Sequence, residues 1–149
     1  MLNVRSKGKN GELAFSMLMR QELGVTLSRN LDQVRSGGYD LWADGFPFVV
    51  EVKRQEQLKL DVWWEQAIEG AKKAKTDENS PYPYPCLAYR RNRTPWRVVV
   101  PLAAISYDYE HQSLWVRAEL EVDGFVLVAR DLMARCGPSD FYRSTENGY

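Results

Sequence analysis

Asp40, Glu51 and Lys53 are the side chains best suited to chemistry by type and spacing. Ten residues separate the two carboxylates, and Lys53 follows Glu51 with one residue between them. Two carboxylates held close together repel and are hard to keep ionised unless a cation lies between them. Such oxygen ligands suit Mg²⁺ or Mn²⁺, and an adjacent amine could hold or activate a metal-bound water. The three residues therefore predict a divalent-metal site, provided that the fold gathers them on one surface.

The segments around these residues predict two adjacent antiparallel strands. Residues 39–42 and 48–53 are apolar and partly β-branched, and an Asp-Gly pair followed closely by a proline lies between them as a hairpin signal. A two-residue loop would place Asp40 opposite Val49, whereas a four-residue loop would place it opposite Glu51. In both registers the two carboxylates and the amine share one face, since side chains alternate along a strand.

A solvated strand surface is the alternative explanation for these charges. Charged residues that alternate with buried valines are routine on antiparallel strands, and for an isolated Glu-x-Lys this is the better explanation. The position of Asp40, at a fixed separation and aligned by a turn, favours a site instead.

A third acid, Glu12, lies near the start of a helical pattern. The helix is predicted from Asn10, as its N-cap, to about Glu22, with Gly24 as the stop. Glu12 heads an apolar stripe at helical spacing. The stripe consists of Phe15, Met19 and Leu23. The helix dipole also favours an acid in the first turn, and taken alone this capping explanation is the better one.

Taken together, four segments of the chain carry a resemblance to a known family. They are Lys7-Gly8-Lys9-Asn10-Gly11-Glu12, Arg35-Ser36-Gly37-Gly38-Tyr39-Asp40-Leu41, Val49-Val50-Glu51-Val52-Lys53, and Gln66 on a following helix. This ordered set resembles the PD-(D/E)xK nuclease superfamily, and specifically the archaeal-type Holliday junction resolvases. The resemblance covers about residues 5–101.

The resemblance implies a fold and a reaction. The fold class is α/β, with a restriction-endonuclease-like core in which a mixed central β-sheet is flanked by helices. The activity is that of a Mg²⁺-dependent (or Mn²⁺-dependent), structure-selective DNA endonuclease, which resolves four-way junctions by paired phosphodiester hydrolysis and leaves 5′-phosphate and 3′-hydroxyl ends. A homodimer with both active sites facing the same side would supply the paired incisions on branched DNA.

The resemblance also assigns roles within the site. Asp40 and Glu51 would ligate the metal together with the carbonyl of Val52, and Glu12 would complete the site directly or through water. Lys53 would position the attacking hydroxide and offset the charge of the transition state.

Gln66 is the last member of the catalytic set that the resemblance implies. By spacing alone, a surface amide is as good an explanation for it as an active-site role. It lies on a predicted packing helix that begins near Asp61 and carries one apolar stripe. The stripe contains Leu60, Trp63, Trp64, Ala67, Ile68 and Ala71. The two tryptophans are expected in the core or an interface rather than as base-stacking platforms.

The charge of the chain is balanced, with 20 Lys and Arg against 20 Asp and Glu. A net charge of zero counts mildly against a nucleic-acid partner, but clustered basic residues can bind DNA despite neutrality. The predicted DNA contacts are Arg5, Lys7 and Lys9; Arg29, Arg35 and Ser36; and Arg90, Arg91 and Arg93, with Arg97 beside them. The alternative is that these residues only solvate loops.

A single domain is expected over residues 1–149, with its core at about 5–101. An extension at about 102–136 begins with a short helical or edge segment. It continues with a hairpin of residues 113–121 and 125–129 around Asp123-Gly124, and then a short helix at about 131–135. The extension could enlarge the sheet, cover an edge or form a dimer contact, and 137–149 is expected to be a loose tail.

The rest of the composition indicates an intracellular enzyme. Cys86 and Cys136 form neither a metal-binding pair nor a disulfide framework, and there is no signal peptide or apolar span. We expect a cytoplasmic location, in a prokaryotic cell or a phage-infected host, and no membrane partner. Two alternatives stay open: a nuclease of the same superfamily acting on flaps, ends or single strands, and a catalytically silent DNA-binding module.

Overall fold

The computed structural model describes residues 4–31 and 38–135, with side chains from residue 8 onward. The elements are α1 (Val4–Leu23), β1 (Ser28–Arg29), β2 (Leu41–Trp42), β3 (Phe48–Arg54), α2 (Leu60–Ala74), β4 (Tyr84–Arg90), β5 (Arg97–Pro101), α3 (Leu102–Ile105), a 3₁₀ turn (Tyr107–Tyr109), β6 (Arg117–Glu121) and α4 (Val122–Arg135). The predictions for Arg35, Ser36, Cys136 and the tail lie outside the described residues.

The strands of the described residues form one mixed sheet of six, in the order β1-β2-β3-β4-β5-β6. β3 and β4 are parallel and all other neighbours are antiparallel. Parallel neighbours need a long crossover, and α2 supplies it. Because helices cover both faces, β3 and β4 are buried on both sides and read as nearly continuous apolar runs. The predicted α/β class, with a mixed central sheet flanked by helices, is confirmed.

Two apolar cores lie on opposite faces of this sheet. On one face, α1 and α4 pack over β3, and Phe15, Phe48 and Phe125 are fully buried together. On the other face, α2 packs through Trp63, Trp64 and its following apolar turn. The predicted stripe of α2 is therefore confirmed, and both tryptophans belong to the core.

The predicted start of the first helix is wrong. α1 begins at Val4 rather than Asn10, so Glu12 lies in the third turn and is not a first-turn capping acid. Local propensity misleads here because Gly8, Asn10 and Gly11 disfavour a helix interior. Gly11 is buried against β3, and a Cβ atom there would lie 3.3 Å from that of Arg54. Close packing on the sheet accounts for the helix continuing through this weak segment.

The predicted C-terminal hairpin is also wrong. β6 is followed directly by α4, and Asp123-Gly124 lies in the first turn of that helix. The prediction interpreted the apolar residues after this pair as a strand with a period of two, but they belong to a helix. They are buried at helical spacing, at Phe125, Val126, Ala129 and Leu132. The extension thus enlarges the sheet through β6, which pairs with β5, and covers one face through α4.

Gly70→Ala tests the close contact between α2 and the segment before β2. A Cβ atom at Gly70 would lie 3.0 Å from the backbone nitrogen of Tyr39, so the helix or that segment must move. We expect overpacking of about 1–3 kcal/mol to outweigh a helix-propensity gain of about 1 kcal/mol. Urea denaturation should therefore give a free energy of unfolding lower by roughly 1 kcal/mol.

Gly124→Ala is the matched control for this substitution. Its Cβ atom would meet the Cβ atom of Leu120 at 3.7 Å, which is ordinary contact. The control should stabilise the protein by up to about 1 kcal/mol, because alanine is the better helix former. Equal stability of the two variants would show that Gly70 is not tightly packed.

Candidate active site

The hairpin of β2 and β3 sets the position of the first carboxylate. Leu41 pairs with Val50, and the N–H of Asp40 donates to the Val50 carbonyl at 2.9 Å. The pairing of Leu41 with Val50 is the one that the four-residue-loop alternative requires. Gly45 occupies the turn at φ +72°, a conformation that a side chain would strain.

Asp40 is held against the exposed edge of β3. Its carboxylate Oδ2 accepts a hydrogen bond of 2.8 Å from the N–H of Val52. The N–H and C=O of one strand residue point to the same side, so the Val52 carbonyl also points toward this edge. A carboxylate and a backbone carbonyl thus meet where β2 has ended and the edge of β3 is open.

Glu51 is a buried acid with an incomplete set of partners. Only 5% of the residue is exposed, and its Oε2 atom has no hydrogen-bond partner. Its Oε1 atom lies 3.4 Å from Nζ of Lys53. Burial first, and then the charge of Asp40, raise the pKa of Glu51 to about 8, although Lys53 opposes the shift. The site therefore needs either a proton or a further cation at neutral pH.

Glu12 reaches the same cleft from α1. Burial and the charge of Asp40 raise the pKa of Glu12, while Arg29 lowers it. Arg29 from β1 donates from Nε to a Glu12 carboxylate oxygen at 2.8 Å. Sequence reasoning missed this pairing, because the two residues are distant in sequence and meet only when β1 joins the sheet.

The cleft lies at the carboxyl end of β3. Glu12, Asp40, Glu51 and Lys53 line it together with Gly8, Val52 and residues 54–57. The structure thus brings together all the residues of the predicted metal site. It adds Arg54 and the segment after β3, which nothing in the sequence pattern had marked.

The donor set of the cleft fits a single hard divalent cation. Two buried carboxylates, an unpartnered oxygen of Glu51 and the carbonyl of Val52 are the oxygen ligands that Mg²⁺ and Mn²⁺ prefer. Within residues 4–31 and 38–135, no cluster of three or more His, Cys, Asp or Glu side chains is close enough to hold a metal. Glu12 is engaged in the ion pair with Arg29, and its part in a metal site stays a prediction.

The model of the phage putative PDDEXK endonuclease family matches residues 3–127 of the chain. The chain belongs to this endonuclease family. Together with the mixed sheet and the acidic cleft, this membership confirms a nuclease with a restriction-endonuclease-like core.

Among solved structures, the chain is similar to Hjc of Archaeoglobus fulgidus, a Holliday junction resolvase from an archaeal hyperthermophile. The identity is 16% and the TM-score 0.47, over 87% of this chain and 97% of that one. No curated protein matches.

Gln66 and Lys9 are predicted site residues that are not part of the cleft lining. Gln66 is exposed on α2 and does not line the cleft. Lys9 is exposed on α1, and Arg5 and Lys7 belong to the same helix. The catalytic role of Gln66 and the DNA contacts of these three residues stay predictions.

The arginine cluster of the nuclease is split between two faces and a turn. Arg91 and Arg93 are exposed in the turn between β4 and β5. Arg97 is engaged by Glu119 at 3.2 Å and by Glu121 at 3.5 Å. Arg90 lies over the ring of a buried tryptophan, Trp96.

None of the described helices has the length and apolar character needed to cross a membrane.

The burial of Glu51 predicts how stability depends on pH. Because its folded pKa lies above the unfolded one, the folded state keeps a proton that the unfolded state loses above about pH 4.5. Without divalent metal, stability should fall by up to a few kcal/mol as pH rises from 5 to 8. Glu51→Gln should remove most of this fall, as measured by urea denaturation in chelator.

Glu65→Gln is the control for this experiment, since Glu65 is an exposed acid on α2. It should keep the pH dependence of the wild type. The electrostatic account of Glu51 would be wrong if the Glu51→Gln protein lost stability between pH 5 and 8 as the wild type does.

Proposed function

We propose that the nuclease is a Mg²⁺-dependent (or Mn²⁺-dependent) DNA endonuclease that resolves four-way junctions by paired incisions. The observation that carries the metal dependence is the buried pair of Asp40 and Glu51, in which one Glu51 oxygen has no partner. A cation would neutralise both carboxylates and occupy that oxygen.

Each residue of the cleft has a role in this proposal. Asp40, Glu51 and the carbonyl of Val52 would hold the metal, and Glu12 would complete the site directly or through water. When bound there, the metal would supply Lewis-acid chemistry that activates a water molecule and offsets charge on the phosphate.

Lys53 orients the attacking hydroxide and offsets negative charge on the phosphate. Its ammonium group already lies 3.4 Å from a Glu51 oxygen, beside the proposed metal position. As the new P–O bond forms, the bond from phosphorus to the 3′ oxygen breaks. That oxygen takes a proton from solvent, which leaves a 3′-hydroxyl and a 5′-phosphate.

Paired incision requires two active sites, so the proposal includes a two-fold homodimer. The sheet order makes β6 the last strand on its side of the described sheet. Trp115 and Val116, just before β6, are 47% and 40% exposed, and Leu127 on α4 is 66% exposed. These residues are available to an interface, whereas Phe125 and Val126 are buried in the core. The proposed place of action is the cytoplasm of a prokaryotic cell or a phage-infected host.

Asp40→Asn and Glu51→Gln should each abolish cleavage in Mg²⁺, with a loss of at least about a hundredfold in rate. DNA binding should persist or tighten, because each change removes a negative charge that repels phosphate. Gel electrophoresis of the products and anisotropy of labelled DNA measure the two effects. Ca²⁺ should support binding without turnover, since its looser coordination positions water poorly.

Asp44→Asn is the matched control, because Asp44 is an exposed acid in the same hairpin. It should cut at the wild-type rate. Wild-type cleavage by Asp40→Asn or Glu51→Gln would remove that residue from the mechanism.

Lys53→Ala should lower the turnover rate by about a hundredfold or more while metal affinity changes little, because the ammonium acts mainly in the transition state. Lys53→Arg should rescue poorly, since a guanidinium is larger and does not give up its proton. Lys59→Ala, an exposed lysine just before α2, is the control. Unchanged single-turnover rates for Lys53→Ala would favour the solvated-strand explanation.

The substrate class is tested with four-way, flap, nicked and linear DNA in Mg²⁺. A junction resolvase should cut the four-way DNA in two symmetric strands, and light scattering at micromolar concentration should give a dimer. A strict monomer that prefers flaps or single strands would replace the resolvase by a nuclease with the same metal chemistry. Binding without any cleavage would indicate a silent DNA-binding module.

A further inference from the structure

Two arginines lie side by side at the ends of the central parallel strands. Arg54 ends β3, Arg90 ends β4, and the two are register partners. The side chains of two residues paired in register point to the same face of the sheet. Here it is the face that α1 covers, since Gly11 of α1 packs on the Cβ atom of Arg54. Like charges directly opposite each other on neighbouring strands are destabilising. A further interaction is therefore needed to offset the repulsion between the two cations.

Both arginines have a buried Nε–H group that no acceptor of the described residues satisfies. The Nε atoms of Arg54 and Arg90 are buried, and neither has a hydrogen-bond partner. No ion pair to either arginine occurs in the described part of the chain, although Glu12, Asp61 and Glu119 each engage another arginine. A buried donor without a partner is destabilising, and few groups in native proteins are left in this state.

Both side chains are nevertheless held in place. The guanidinium carbon of Arg90 lies 5.5 Å from the centre of the Trp96 ring, and that ring packs edge-on against Phe15 of α1 at 5.3 Å. A Cβ atom at Gly11 would lie 3.3 Å from the Arg54 Cβ, so a glycine lets the arginine stem pass beneath the helix. The donors are thus preorganised for an acceptor from outside the chain.

The pair adjoins the cleft that holds the catalytic residues. Arg54 lines this cleft next to Lys53. Because side chains alternate along β3, Lys53 and Arg54 point to opposite faces of the sheet. A polymer that crosses the end of β3 can therefore contact the catalytic side and the arginine side at once.

We propose that Arg54 and Arg90 together bind one backbone phosphate of the DNA, adjacent to the phosphate that is cut. This inference rests on the proposed nuclease function and adds a subsite to it. A phosphate offers several acceptor oxygens, which match the fork of donors on a guanidinium. It would satisfy both buried Nε groups and cancel the repulsion between the two cations. The pair fixes which phosphate of the strand reaches Lys53.

The test uses Arg54→Gln, Arg90→Gln and the double variant, with Lys72→Gln as a control for the loss of one charge. Lys72 is exposed on α2 and pairs only loosely with Glu69, at 3.5 Å. Binding of a labelled four-way junction and of a linear duplex is measured by anisotropy in Ca²⁺ over a range of salt. The junction is then scanned with single methylphosphonate linkages, each of which removes one backbone charge.

The double variant should bind at least about tenfold more weakly, with the slope of log affinity against log salt reduced by about one. Wild-type affinity should drop at one methylphosphonate position beside the cleaved bond, and the double variant should lose this sensitivity. Lys72→Gln should retain both properties. The thermal midpoint of the free double variant should be unchanged or higher, because repulsion and an unsatisfied pair have been removed.

Three outcomes would overturn the inference. One is wild-type affinity and salt slope in the double variant. Another is the same methylphosphonate profile in both proteins. The third is a lower thermal midpoint with an unchanged positional profile, which would make the arginines structural. If the double variant fails to fold, Arg54→Lys and Arg90→Lys are used instead, because they keep the positive charge but lose the planar set of guanidinium donors. The same methylphosphonate scan applies to them. Wild-type protein that does not bind or cut DNA in Mg²⁺ would instead refute the proposed function itself.

Discussion

The burial of two carboxylates on neighbouring strands is the constraint on which this structure depends. Asp40 and Glu51 repel each other in a region that water barely reaches, and this arrangement raises the pKa of Glu51 to about 8. The N–H of Val52 offsets part of the cost at Asp40, and Lys53 offsets part at Glu51. One oxygen of Glu51 stays without a hydrogen-bond partner, so the buried pair needs either a proton or a further cation at neutral pH.

Several parts of the fold serve to keep that arrangement in place. The short β2 brings Asp40 to β3 and then ends, so the edge of β3 is open at the cleft. Gly70 lets α2 approach the backbone of Tyr39 closely, which supports the segment leading into β2. The crossover through α2 sets β3 and β4 in parallel, and this pairing also brings Arg54 beside Arg90. The β3–β4 pairing thus positions the two arginines, whereas the antiparallel pairing of β2 with β3 positions Asp40.

The sequence predicted what depends on local pattern. The hairpin of β2 and β3 was predicted because its turn and alternation are encoded within fifteen residues, although the pattern left two registers open. The start of α1 was not predicted, because packing at Gly11 decides it. Of α4, only the end at about residues 131–135 was predicted as a helix, because the apolar residues before it were interpreted as a strand. Contacts between distant segments, such as Arg29 with Glu12 and Arg54 with Arg90, depend on strand order, which spacing does not reveal. Gln66 illustrates the limit of a resemblance, because its exposed position leaves its role a prediction.

Proton release on metal binding tests the central claim most directly. If Glu51 is protonated in the metal-free cleft and ligates the metal as a carboxylate, Mg²⁺ must displace its proton. Calorimetric titration at pH 7, in two buffers of different protonation enthalpy, counts the protons released. With a pKa of about 8 at Glu51, the account predicts close to one proton per bound Mg²⁺, and much weaker binding with little release in Glu51→Gln. Tight Mg²⁺ binding without proton release in the wild type, or equal binding and release in Glu51→Gln, would contradict it.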